Sequence, residues 1–352
     1  MSNTIQPIRT ALCSFGMSGW VFHAPFIAIN PGFELYAVWE RTKNLAAEKY
    51  PWVKTVRTLE EILEDDSIEL VVINTPNATH YEYTKKALLA GKHVIAEKPF
   101  TITVAEGEEL IALAKQCNKI ITVYQNRRFD SDYRTVKKIV DEKWLGQMVE
   151  AEIHYDRYKE EPGPKLHKET PGPGTGLLYD LGSHLLDQAI QFFGMPQSIF
   201  ADIAIMRKSS KVDDYMELLL YYPGLRVRVK SSYMVREALP SYVFHGTKGS
   251  FIKARTDVQE VMLQASIVPG GPDWGVEPDS EKGLLHTEKD GKIIREYVPS
   301  LKGNYGDYYD ILYKAIREGG PVPVTAEEGL NIIRIIEAAY ESNREKKLVA
   351  VK

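Results

Sequence analysis

The chain has only two cysteines, Cys13 and Cys117, in 352 residues. So few thiols give no disulfide framework and no metal-ligand spacing. Cys13 falls within an apolar strand pattern and reads as a buried thiol. Long apolar runs are missing too: none approaches the roughly 20 residues needed to span a bilayer. The stretch Met1 to Thr10 is polar and lacks a signal-peptide core, so the expected location is cytoplasmic. No charge sign dominates, with 44 Lys+Arg against 48 Asp+Glu. A net charge of -4 gives no reason to expect nucleic acid or an anionic membrane as partner. What remains is ordinary globular composition, 44% hydrophobic and 26% charged. That length exceeds one ordinary core and predicts two domains.

In the first half, apolar strands alternate with helical patterns. Ile8 to Cys13 reads as a strand, followed at once by Ser14-Phe15-Gly16-Met17-Ser18-Gly19 and by helical spacing from Trp20 to Ile29. This is a dinucleotide turn, G-x-G-x-x-G, whose first glycine is Ser14. Gly16 lets backbone approach a pyrophosphate, Gly19 allows close helix-strand packing, and amides around Met17 and Ser18 offer the anion site. A second strand, Phe33 to Trp39, ends in Glu40-Arg41. Glu40 lies where an acidic residue usually receives the adenosine ribose hydroxyls, whereas Arg41 suits a 2′-phosphate, so the pair argues both ways on NAD against NADP.

Strand Leu70 to Ile73 ends in Asn74-Thr75-Pro76-Asn77, with His80 opening the next helix. Thr75, Pro76, Asn77 and His80 would face a cofactor, although His80 reads equally well as a helix-entry residue. Strand Val94 to Ala96 ends in Glu97-Lys98-Pro99. Alone, that is also what an exposed turn with a surface ion pair looks like. At the carboxyl end of a parallel strand, where ligands collect, Lys98 can hold its charge against a substrate oxygen. Glu97, Lys98 and Asn126 complete the cofactor-facing set. Strands alternating with helices to Tyr124 predict a doubly wound parallel sheet of the Rossmann type over residues 1–125.

The pattern changes in residues 126–352. From Met148 the apolar period becomes two: Val149, Ala151, Ile153 and Tyr155 alternate with polar residues. Ser198 to Met206, Tyr215 to Tyr221, Leu225 to Ser232, Tyr242 to His245 and Val258 to Val268 also read as strands. They predict a large, mainly antiparallel open sheet within an α+β domain, covered on one face by helices or a second subunit. A homodimer or homotetramer is therefore expected. Pro162 to Gly176, rich in Pro and Gly, reads as a loop over a site.

Tyr179 to Asp187 carries the second chemical signal. On a helix, Asp180 and His184 are four apart and Asp187 three further on, so all share one face. A carboxylate beside an imidazole orients the ring and favours its charged form, as proton transfer requires. An isolated D-x-x-x-H is as well explained by a satisfied, partly buried histidine. Burying three polar groups on one face without a role would be costly. The arrangement suits hydride transfer between a nicotinamide and a hydroxyl-bearing carbon, and the resemblance set out below implies that the carbon belongs to a cyclic polyol or sugar. His184 serves as general base, Asp180 orients it, and Lys98 stabilises the developing alkoxide. Arg128, Tyr158, His167 and Asp187 are candidates for contacting substrate hydroxyls. The competing reading from another class is a non-catalytic cofactor-binding redox sensor; within enzymes it is a reductase of another sugar-like carbonyl.

Together these residues resemble the glucose-fructose oxidoreductase/inositol dehydrogenase (Gfo/Idh/MocA) family over nearly the whole chain. The carrying motifs are Ser14 to Gly19 with Val21-Phe22-His23-Ala24-Pro25, Glu97-Lys98-Pro99, Tyr124 to Phe129, Gly176 to Asp187 and Pro323 to Gly329. The branch it looks most like is the NADP-dependent scyllo-inositol dehydrogenases. The resemblance implies catalytic positions for Lys98, Asp180 and His184, a substrate-binding one for Asp187, and NADP slightly ahead of NAD.

Overall fold

A computed structural model describes residues 6–163 and 166–352, with residues 166 and 167 described by their backbone only. Two compact units divide the chain: residues 1–126, 259–274 and 304–330 form the first, and residues 127–258, 275–303 and 331–352 the second. The chain first passes from one unit to the other at Asn126/Arg127, and two later segments return to the first.

The first unit is a six-stranded parallel sheet: β1 (Ile8–Leu12), β2 (Phe33–Trp39), β3 (Lys54–Val56), β4 (Leu70–Ile73), β5 (His93–Ala96) and β6 (Ile121–Val123), in the order β3-β2-β1-β4-β5-β6. This is the doubly wound order, whose switch point lies between β1 and β4. β4 is buried at every residue, as a parallel strand covered on both faces must be. The helix Gly306–Glu318 returns to this unit and buries Tyr308, Tyr309 and Leu312 completely. Tyr309 stacks on Phe26 at 6.0 Å and meets Phe33 edge-on at 5.7 Å.

The second unit holds β7 (Met148–His154), β8 (Ser198–Ala204), β9 (Tyr215–Tyr222), β10 (Leu225–Ser232), β11 (Tyr242–Gly246), β12 (Gly249–Lys253), β13 (Gly283–Lys289), β14 (Lys292–Val298) and β15 (Val349–Ala350). They form one nine-stranded sheet, β14-β13-β12-β11-β7-β10-β9-β8-β15. Every pairing is antiparallel except β7 with β10, where Ala151 lies beside Val227. The helix Ser183–Phe193 packs on β7 and β10.

Two expectations need correction. Val258 to Val268 is no strand: Val258–Gln264 is a helix that buries Gln259 and Leu263, and the Gln259 side chain accepts from the Tyr305 amide at 2.8 Å. Its apolar residues are too few for the period to discriminate helix from strand. The segment 162–176 is also more than a loop. It contains the helix Leu166–Glu169, and Glu169 is tied to Arg207 at 3.0 Å.

Candidate active site

In the first unit, the turn after β1 is locked to the end of β4. The Ser14 amide donates to Asn74 Oδ1 at 2.9 Å, and Asn74 Nδ2 returns a bond to the Ser14 carbonyl at 2.8 Å. The Ser14 hydroxyl donates to the Asn74 carbonyl at 2.8 Å, so serine in place of the first glycine adds a bond to the clamp. At Gly19 no side chain fits, since a Cβ there would lie 2.3 Å from the Ser14 carbonyl oxygen. Over Gly16 the space is open, the nearest atom to a Cβ being Ser14 Oγ at 3.8 Å. The following helix begins as a π-helical turn, Ser18–His23, before Ala24–Ile29.

Glu97, at the tip of β5, links this turn to Lys98. Its Oε1 receives the Ser18 hydroxyl and lies 3.0 Å from His23 Nε2, while Oε2 accepts the Lys98 amide at 3.1 Å. The other nitrogen of the fully buried His23 ring meets the Tyr309 hydroxyl at 2.8 Å. Burial alone would raise the Glu97 carboxyl. The His23 bond and charge, the Ser18 hydroxyl and the Lys98 charge outweigh it and hold the group at about 2. Glu97 is therefore an anion that fixes the backbone carrying Lys98.

His80 braces the same edge, with its two nitrogens 2.8 Å from the Pro99 carbonyl and 3.0 Å from the Thr75 carbonyl. Burial lowers its pKa, and a neutral ring can donate to only one of the two. It ties two strand-end loops together. The Thr75 hydroxyl pairs with that of Thr79 at 2.6 Å, and Pro76 precedes the short turn Asn77–Thr79. Asn126 is buried at the start of the turn Asn126–Phe129. Glu40 is turned inward: its two oxygens accept the amides of Leu45 at 3.1 Å and Ala46 at 3.0 Å, closing the helix Leu45–Lys49. Arg41 beside it is exposed.

These groups fit a dinucleotide at the switch point. The turn is open above Gly16, the helix that follows begins there, and a cation stands at the next strand tip.

In the second unit, the Tyr179–Asp187 segment departs from a single α-helix. Leu178–Gly182 is a π-helical turn that feeds the α-helix Ser183–Phe193. Asp180 thus lies on the wider turn, outside the α-helix assumed from its four-residue spacing to His184. Its carboxylate receives Lys168 Nζ at 2.8 Å. His184 and Asp187 are buried on the α-helix proper. Asp187 is a fork partner for Arg128, with Nε to Oδ2 at 2.8 Å and Nη2 to Oδ1 at 2.6 Å.

Asp213 builds the π turn, as its carbonyl accepts the Leu177 amide and its carboxylate the Leu178 amide, both at 2.9 Å. Gly176, at φ 98°, leaves that carboxylate room, since a Cβ there would lie 2.0 Å from Asp213 Oδ1. Nothing in the sequence pointed to Asp213. Tyr158 is exposed, stacked under Arg236 at 3.9 Å, with its hydroxyl donating to Glu160 at 3.0 Å. The side chain of His167 lies outside the described residues.

A Rossmann sheet with a dinucleotide turn, in one chain with a second unit that buries a histidine and a paired aspartate on one helix, defines a nicotinamide-dependent oxidoreductase. Residues 8–125 match the family described as "Oxidoreductase family, NAD-binding Rossmann fold", and residues 137–351 its "C-terminal alpha/beta domain". The chain belongs to this Gfo/Idh/MocA oxidoreductase family and takes NAD or NADP. It is 38% identical over 345 residues to the NADP-dependent scyllo-inositol 2-dehydrogenase IolW of Bacillus subtilis, covering 98% of this chain and 96% of that one. A crystal structure of an oxidoreductase from Bacteroides fragilis superposes with TM-score 0.90 at 49% identity, covering 98% of this chain and 100% of that one. YvaA of Bacillus subtilis superposes with TM-score 0.94 at 37% identity, covering 99% of each. Among the described residues no helix is long and apolar enough to cross a membrane.

Proposed function

We propose that the protein oxidises a hydroxyl-bearing carbon of a cyclic polyol or sugar, or reduces the matching carbonyl, with NADP. The bound nicotinamide supplies the hydride chemistry. His184 takes the hydroxyl proton, and Lys98 holds the same oxygen while negative charge develops on it. Asp180, held by Lys168, is a positioning residue on the turn that leads into His184. The observation carrying the proposal is the pairing of buried His184 and Asp187 on one helix, in a chain whose other unit is a dinucleotide fold. The 38% identity to an inositol dehydrogenase supports the substrate class. The inward turn of Glu40 supports NADP, because it leaves Arg41 as the exposed charged group at the end of β2. Exposed Phe200, Ile293 and Tyr297 on the nine-stranded sheet support self-association as a homodimer or homotetramer, which light scattering reads directly.

The test is a screen of inositols and aldoses with NAD and NADP, following nicotinamide absorbance. His184→Ala and Lys98→Ala should each lower kcat by about 10²- to 10⁴-fold, far more than either weakens dinucleotide binding. Near-normal turnover in either variant removes the mechanism. Arg41→Ala should weaken NADP and spare NAD; equal loss of both would return the preference to NAD.

A further inference from the structure

The face of β7 that lies under the helix Ser183–Phe193 is marked by two contacts. Tyr242, opposite Ile153, donates its hydroxyl to Gln188 Oε1 at 3.0 Å, and Arg255, which covers the Tyr155 ring at 4.5 Å, donates to the same atom at 3.1 Å. Strand side chains alternate, so Ile153 and Tyr155 share that face, and so do the next residues of the same parity, Arg157 and Lys159. The backbone continues extended there, because the amides of Tyr155, Arg157 and Lys159 donate to the carbonyls of Lys230, Ser232 and Tyr233 at 3.1, 2.9 and 2.8 Å.

Arg157 reaches back to Tyr155, with Nη2 3.0 Å from the hydroxyl and the guanidinium 5.0 Å over the ring. Lys159 Nζ lies 5.3 Å from the Tyr233 ring, whose other cationic neighbour is Arg207 at 5.0 Å.

Three other cations of this region have carboxylates. Lys168 holds Asp180 at 2.8 Å, Arg207 holds Asp214 at 2.9 Å and Glu169 at 3.0 Å, and Arg128 holds Asp187. Among the described residues, no carboxylate oxygen comes within 4.0 Å of Arg157 or Lys159. Lys159 is held below the ordinary lysine range, first by burial and then by the charge of Arg157, with Asp180 opposing. Two cations repelling each other beside Asp180 are relieved by an anion placed between them. An exposed lysine alone would be a solvated surface charge. A half-buried arginine one step inward, with most of its planar donors unused among the described residues, is a carboxylate or phosphate fork.

We propose that Arg157 and Lys159 form an anion subsite near Asp180, on the turn that leads into His184, so that the preferred polyol or sugar carries a carboxylate or phosphate group. This rests on the dehydrogenase reading above, in which His184 receives the proton of the reacting hydroxyl. Arg157 supplies the bidentate grip, and Lys159, nearer solvent, draws the anion in.

Binding to the NADP-saturated protein, read by calorimetry for D-glucose, D-glucuronate and a hexose phosphate, tests the subsite without requiring turnover. At least one of the two anions should bind about tenfold or more tighter than glucose, and the arm that wins distinguishes carboxylate from phosphate. Arg157→Gln and Lys159→Gln should each remove about 10- to 100-fold of that affinity, the size expected for one lost charge-assisted contact, and leave NADP binding intact. Lys159→Glu, at an exposed position that folding tolerates, should invert the preference. Equal binding of glucose and both anions, or anion affinity unmoved in Lys159→Gln and Lys159→Glu, overturns the subsite. Charge-dependent anion binding with no nicotinamide absorbance change for any alcohol or carbonyl sustains the subsite and defeats the dehydrogenase reading instead. Turnover of neutral polyols with no anion preference does the reverse.

Discussion

The two units spend their polar groups differently. In the first, Ser14 is clamped to Asn74, Glu97 is satisfied by Ser18, His23 and the Lys98 amide, and His80 is braced between two carbonyls. In the second, Arg157 and Lys159 lean on tyrosine rings beside a buried histidine. A closed circuit holds one geometry and suits a ligand that never varies, such as a dinucleotide. Uncommitted charge suits the partner that sets specificity. Both units nevertheless open their functional helix with a π turn, Ser18–His23 and Leu178–Gly182. Such turns widen the helix and re-aim the side chains at its start.

The contrast breaks hardest where a buried ion loses its partner. Asp187→Ala removes a buried fork partner of the Arg128 guanidinium and should cost about 3–5 kcal/mol in urea unfolding. Asp187→Asn, which keeps an acceptor, should cost clearly less; equal costs would make the fork unimportant. Next, Gly19→Ala forces a Cβ against the Ser14 carbonyl and should cost about 1–3 kcal/mol while weakening dinucleotide binding, read by thermal unfolding with and without NADP. Unchanged NADP affinity would uncouple the turn from the cofactor.

Acid should then dismantle the first unit in order. Burial, then the charge of Lys119, holds the His93 pKa at about 4, below its usual 6.5, and the Ile120 amide donates to its Nδ1 at 3.1 Å. A lowered histidine pKa favours the neutral ring in the fold, so its stability contribution is full above pH 6.5 and is lost as pH falls toward 4. Glu97, lowered from 4.5 to about 2, keeps its contribution above pH 4.5 and loses it between there and 2. Denaturation midpoints measured across this range should fall first through the histidine window, and His93→Gln should remove that first fall. The smallest effect is Glu40→Ala, which opens the N-terminus of helix Leu45–Lys49 for about 1 kcal/mol and should leave NAD affinity nearly untouched. A large loss of NAD affinity would return Glu40 to the ribose.

The parallel sheet was legible because β4 is an unbroken apolar run, most of its neighbours are largely apolar, and Gly16, Gly19 and Gly91 punctuate them; β3, Lys54–Val56, gave no such signal. Lys98 and His184 were singled out as chemistry at strand and helix ends, and the structure puts them just beyond β5 and on the helix Ser183–Phe193. Strands β13 and β14 were not, because Glu288, Lys289, Lys292, Arg295 and Glu296 hide the alternation on an exposed edge. The helix Val258–Gln264 was misread because a short apolar run fits both periods. Glu40 was assigned by its distance from Gly16, and distance along a chain does not reveal which way a carboxylate turns. Tyr158 was named as a candidate for contacting substrate hydroxyls. Counting on by two from Ile153 and Tyr155 would instead have named Arg157 and Lys159, so that signal was present. Asp213 had no signal, since what it supports exists only once Gly176 and Leu178 are folded.

The helix Gly306–Glu318 belongs to the first unit yet is encoded after most of the second. During synthesis the nucleotide-binding half therefore waits, its Phe26 and Phe33 bed uncovered, until Tyr308 and Tyr309 emerge from the ribosome. The two halves mature together, and cutting the gene at codon 125 would yield a fragment with an open greasy seam in place of a free-standing nucleotide binder.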